Sequence, residues 1–119
     1  MTGRKDDTGK PRWDLVPMEA LSEVVDVLTH GAEKYGPENW RNVDQPRRRY
    51  YAALMRHVMQ WWMGEERDEE TGFHHLAHAA ASALFLVSFD SRGSELPSYK
   101  ECIQMVQDRM AAGRGRANG

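Results

Sequence analysis

Cysteine is almost absent. Cys102 stands alone among 119 residues, so no intramolecular disulfide can form and no cysteine-rich zinc module can be built. A lone thiol fits a reducing compartment. Long apolar runs are missing too: no segment approaches the roughly 20 residues that cross a bilayer. The opening "MTGRKDDTGK" has no apolar stretch of the kind a secretory leader needs. These absences predict a soluble, cytoplasmic protein with no membrane partner. There is no excess of positive charge either. Sixteen Lys and Arg against 18 Asp and Glu leave a net −2, whereas a generic binder of phosphate backbones is clearly basic. Nucleic acid is therefore not an expected partner, and the short cluster Arg47, Arg48, Arg49 does not change that. Strand-like alternation with period two is also lacking, as is any long internal repeat. What remains is 40% hydrophobic and 29% charged, an ordinary globular balance at the length of one domain.

Helical periodicity is what the chain does have. Pro17 suits a first helical turn, and Met18, Leu21, Val25, Leu28 and Ala32 recur at helical spacing, predicting a first helix to about Lys34. Gly36 and Pro37 break it. A second helix starts near Pro46 and reads "RRRYYAALMRHVMQWWMG", with Tyr51, Leu54, Val58 and Trp61/Trp62 as its apolar stripe and Gly64 at its end. After an acidic loop, a third helix runs from His74 to about Phe89. Leu76, Ala80, Ala83, Leu84 and Val87 are its expected core face, and Ala79–Ala81 permit close backbone approach. A fourth helix covers about Ser98 to Met110. The predicted fold is all-α, a small bundle of about four helices. Residues 1–16 form an extended arm, 17–111 the helical domain and 112–119 a flexible basic tail. Helices two and three are apolar over wide arcs, which predicts a homo-oligomer, a dimer or higher.

Polar residues inside this pattern carry the chemistry. His74, His75 and His78 are three of five histidines and crowd the start of the third helix. Residues three and four apart share a face, and the positive end of the helix dipole there favours neutral imidazole, the form that ligates metals or accepts a proton. The same helix end offers N–H groups to a phosphate. An exposed or a hydrogen-bonded core histidine is the plainer explanation of any one of them; the pair His75 and His78 beside an acidic loop favours function. "HHLAH" has the H-x-x-x-H spacing of a zinc protease helix, but His75 stands where the glutamate base is needed, which excludes that reading. The loop supplies Glu65, Glu66, Asp68, Glu69 and Glu70 between the facing ends of two helices. A solvated charge run is its plain reading. Carboxylates with imidazoles, His57 on the second helix included, suit Mg²⁺ or Mn²⁺.

Two tracts look built for a ligand. "GKPRWDLVP" brings together Lys10, Arg12 and Trp13, and "GAEKYGPENW" brings together Lys34, Tyr35, Asn39 and Trp40. Cations beside aromatics on glycine-rich loops suit a phosphorylated, ring-bearing molecule; each tract could equally anchor a loop on the core.

Taken together, "GKPRWDLVPMEAL", "HGAEKYGPENW" and "AALMRHVMQWWMGEERDEETGFHHLAHAAASALFL" resemble the dATP/dGTP diphosphohydrolase N-terminal family of phages and prophages, over about residues 9 to 89. That family is placed near the MazG-like all-α nucleotide pyrophosphohydrolases. The resemblance implies a helical bundle, often dimeric, that uses a divalent metal to convert a purine (deoxy)nucleoside triphosphate to monophosphate and pyrophosphate. MazG-like enzymes hold Mg²⁺ with E-x-x-E and E-x-x-D; here the third helix reads His75-x-x-His78, and the second has Arg56 and His57 where acids are expected. Metal chemistry would then run through a mixed set, Glu65, Asp68, His75 and His78 with His57, of which Glu65, Asp68 and His75 are the expected catalytic groups. Arg56 and Lys34 would clamp phosphates, and Trp40 or Tyr35 would stack on the base. The competing expectation is a nucleotide-binding module that does not cleave its ligand, acting as a regulatory domain or a phage sponge for a nucleotide-derived signal.

Overall fold

A computed structural model describes residues 2–92 and 99–118. It is all-α: α1 (Met18–Tyr35), α2 (Pro46–Trp62), α3 (His75–Arg92) and α4 (Tyr99–Asn118), with 3-10 turns at Trp13–Leu15 and Asn39–Asn42. No strand occurs among the described residues; an isolated bridge joins Arg67 and His74. Two compact units are present, Val16–Glu95 and Met1–Leu15 with Leu96–Gly119.

In the larger unit α3 is the hub, packing on both α1 and α2. Local signals set the helix ends. Gly36, at φ 99°, closes α1 by donating its N–H to the Ala32 carbonyl. Pro46 occupies the first turn of α2, where its missing N–H costs nothing. At the other end, the Gly64 N–H reaches the Trp61 carbonyl and the Glu65 N–H the Gln60 carbonyl, both at 3.0 Å. Those are the paired bonds of a Schellman motif, with Gly64 supplying the positive φ of 107°. The turn thus fixes the backbone of Glu65.

The core differs from the one the sequence predicts. Val24, Ala77 and Ala81 are buried together, with Leu21, Val27, Leu28 and Ala80 against them. On α3 it is the small-residue face that turns inward; Leu76, Leu84 and Val87 are exposed. A helix packed on both sides has no room for large side chains where its neighbours approach, so alanine wins the interior positions. On α2 the inward face runs through Ala53, Leu54, His57 and Val58, while Tyr51, Trp61 and Trp62 lie outside. A 3-10 turn interrupts the N-terminal arm at Trp13–Leu15. In the smaller unit α4 continues to Asn118 through Gly113 and Gly115, beyond the Met110 end and across the expected tail.

Candidate active site

The acidic loop is not uniformly solvated. Glu66, Glu69 and Glu70 are exposed, whereas Glu65 and Asp68 are partly buried. Asp68 anchors the turn: its Oδ2 accepts the Thr71 N–H at 3.1 Å and the Thr71 hydroxyl at 2.8 Å. The backbone closes around it, Asp68 N–H to the Phe73 carbonyl at 2.8 Å and Gly72 N–H to the Asp68 carbonyl at 2.7 Å. Arg67 ties the loop to α1 through Glu23 at 3.4 Å.

Three adjacent histidines then do three different things. His74 is the N-cap of α3: its Nδ1 accepts the Leu76 N–H at 3.0 Å, satisfying an amide that the first turn leaves free. His75 is wholly buried at 0% exposure. Its Nε2 lies 2.8 Å from Glu65 Oε1 and its Nδ1 2.8 Å from His57 Nδ1. His78 Nε2 lies 2.8 Å from the Thr71 hydroxyl oxygen, and its ring stacks on His57, centroids 4.4 Å apart and planes 7° from parallel.

These contacts determine where the protons sit. An ionised carboxylate only accepts, so His75 donates from Nε2 to Glu65; with one proton on the ring, its Nδ1 accepts. His57 therefore donates from Nδ1, leaving its Nε2 bare. The Thr71 proton is committed to Asp68, so His78 donates from Nε2 and keeps a bare Nδ1. Electrostatics agree with neutral rings at His57 and His78. Burial, helped by the His78 and His75 imidazoles and opposed by Asp68, pushes His57 down to about 4. Burial likewise lowers His78, against the pull of Asp68. Burial pushes the Asp68 carboxyl up, but the Thr71 hydrogen bonds and the neighbouring imidazoles outweigh it and leave Asp68 below its ordinary value. Glu65, Asp68 and His75 each offer one ligand atom, all within 4.8 Å of one another.

His57 and His78 also form part of the wall of a cavity of about 980 Å³ between α1, the Asn39–Asn42 turn, α2 and α3. Tyr35, Asn39, Trp40 and Arg56 line the same cavity. Among the described residues, Arg49 and Arg56 reach it without an ion-pair partner and no carboxylate lines it. Trp40 is already occupied: Phe85 stacks on it at 4.5 Å, Phe89 meets it edge-on and the Arg41 guanidinium lies 4.2 Å from the ring centre. Tyr35, half-open to solvent, is the freer ring, with Lys34 at 5.1 Å. Lys34 is not in the wall. Helical spacing alone places Ser82 one turn beyond His78, and Thr71 joins the cluster through its own loop rather than as the cap of α3. The sequence pattern did not assign Arg49 or Phe85 to the site, where only chain crossing in space brings them together. Lys10, Arg12 and Trp13 belong to the other unit, where Arg12 is bound bidentately by Asp14 at 2.9 and 2.7 Å.

The family described as dATP/dGTP diphosphohydrolase, N-terminal, matches residues 1–98. The chain belongs to that family. Its α1–α3 unit, and with it the histidine–carboxylate cluster, lies within the matched region; α4 lies outside it. A protein of Salmonella phage PMBT28 named dATP/dGTP diphosphohydrolase is 40% identical over 86 residues, which are 72% of this chain and 29% of that relative. The chain therefore spans under a third of the length of that relative. No solved structure matches the chain. No helix among the described residues is long and apolar enough to cross a membrane.

Proposed function

We propose that this chain hydrolyses purine (deoxy)nucleoside triphosphates to monophosphate and pyrophosphate with the help of Mg²⁺ or Mn²⁺. One observation carries the reading: a single cavity, with no carboxylate from the described residues in its wall, gathers Tyr35, Asn39 and Arg56, and His57 and His78 link its wall to the Glu65–Asp68–His75 cluster. Such a cavity favours an anion, and the cluster beside it favours a cation, the combination a metal–triphosphate presents. Two carboxylates and an imidazole fit a hard divalent ion, which would take the place of the proton between His75 and Glu65. Bound there, the ion supplies charge neutralisation and a more acidic water. The chain itself does the rest. Arg56 and Arg49 hold phosphate oxygens, Tyr35 stacks on the base, and Asn39 hydrogen-bonds at the cavity mouth. His57 and His78 present bare nitrogens that accept hydrogen bonds from water or ligand. The exposed apolar residues of α2 support a homo-oligomer in this reading.

The test is direct. Nucleoside and deoxynucleoside triphosphates are incubated with the protein and Mg²⁺, Mn²⁺ or chelator, and the products are resolved. Metal-dependent monophosphate and pyrophosphate are expected. A second reading, capture without cleavage, is favoured by one feature: the His57–His75–Glu65 chain already satisfies its own hydrogen bonds. Tight binding indifferent to chelator, with the nucleotide recovered intact, would establish it.

A further inference from the structure

Along α3 the cavity wall changes character. His78, tied to Thr71 and Asp68, comes first; Ser82 follows one turn later, roughly 6 Å along the axis, and Phe85 roughly 4.5 Å beyond that. Phe85 belongs to an aromatic group with Trp40 and Tyr50. The order is polar cluster, single hydroxyl, aromatic wall.

Ser82 is only 7% exposed and lines the cavity; its hydroxyl makes no hydrogen bond to a described residue, and the oxygen is open to the cavity rather than sealed in the packing. Helical hydroxyls ordinarily find a carbonyl on their own helix. Ser22 donates to the Glu19 carbonyl and Thr29 to the Val25 carbonyl, each at 2.8 Å. Ser82 forgoes that bond. Its oxygen is left facing the cavity, where a ligand group can take the bond that the helix does not. Ala53 and Ala81 line the same cavity, and neither side chain has a polar group to offer the hydroxyl.

We propose that Ser82 is a specificity-determining residue that hydrogen-bonds the sugar of the bound nucleotide. The inference rests on the nucleotide reading above. A nucleotide presents phosphate, sugar and base in sequence, and α3 presents His78, Ser82 and Phe85 in the same sequence. The sugar hydroxyl is the ligand group that falls opposite Ser82.

A cycle that crosses one protein hydroxyl with one ligand hydroxyl tests this. Wild type and Ser82→Ala are titrated with the cleavage-resistant α,β-methylene analogue of a purine deoxynucleoside triphosphate and with its 2′,3′-dideoxy counterpart. Wild type should prefer the 3′-hydroxyl ligand by about 3- to 10-fold, and Ser82→Ala should bind both alike. Wild type that does not discriminate, or an Ala variant that still does, overturns the proposal. Wild type that binds neither analogue overturns the nucleotide reading itself, and this proposal with it. Thermal melting adds a readout without ligand. Ser82→Ala should melt at or above the wild-type temperature, because no internal bond is lost; a clear drop would reveal a structural partner and sink the idea. Ser82→Cys, which keeps the volume, should follow Ser82→Ala in the ligand cycle.

Discussion

Replacing Asp68 with Asn keeps the size of the side chain and an acceptor for Thr71 but removes the charge that faces His78. The loop should therefore still fold, and far-UV circular dichroism should be unchanged. Mn²⁺ affinity and triphosphate turnover should both collapse; retention of both would remove Asp68 from the site. The histidines make a second prediction, in chelator and without substrate. His57 sits near 4 when folded against an ordinary 6.5, so between those values the unfolded chain binds more protons than the folded one. Stability then rises with pH across that window. The contribution is complete above the ordinary value and is lost as pH falls toward 4, and His78, shifted the same way, adds to it. Asp68, also held low, adds its loss only below its ordinary 3.8. Melting temperature should fall as pH drops from neutral toward 4, and His57→Gln should flatten the slope. A melting temperature indifferent to pH over that range would contradict the neutral, buried imidazole pair.

Helix ends were the most legible feature at the level of elements. Pro17, Gly36, Pro46 and Gly64 each mark a boundary by a backbone property that no neighbour can override, and α1 and α2 begin and end beside them. Gly64 offers a test. A Cβ there meets nothing within 4 Å, but the φ of 107° is one that L-residues rarely adopt, so Gly64→Ala should cost about 1–3 kcal/mol. Chemical denaturation would measure that loss, and an unchanged midpoint would mean the Schellman turn had been replaced at no cost. Which helix face turns inward was less legible. Hydrophobicity alone assigns Leu84 and Val87 to the core, yet α3 lies between two neighbours and gives its interior to Ala77 and Ala81; residue size, which a periodicity argument ignores, decided the matter. The site was half legible. His75, His78, Glu65 and Asp68 are neighbours by chain connectivity, so sequence could group them. The bond between His57 and His75 depends on the register of α2 against α3, and the capture of Trp40 by Phe85 on a crossing of distant segments. Neither leaves a local trace.

For the molecule as a whole, the outer face of α2 is the conspicuous liability. Tyr51, Met55, Met59, Trp62 and Met63 lie outside, Trp62 at 75% and Met63 at 79% exposure. They follow one another at helical spacing, which forms a stripe rather than scattered residues, and such a stripe favours burial against another surface. Sedimentation should show a dimer or larger species, and Met59→Glu with Trp62→Glu should shift it toward monomer; a wild-type monomer at high concentration would argue against self-association. The hairpin from His57 to His78 has a consequence of a different kind. Every member of the proton-bonded cluster falls within it, while α1 and the Asn39–Asn42 turn supply only the opposite wall of the cavity. One wall of the pocket and the hydrogen-bonded cluster are thus written in separate stretches of the gene. Mutations upstream of residue 46 can reshape that wall without touching the hydrogen-bonded cluster, so the shape of the pocket can drift while the cluster is held constant.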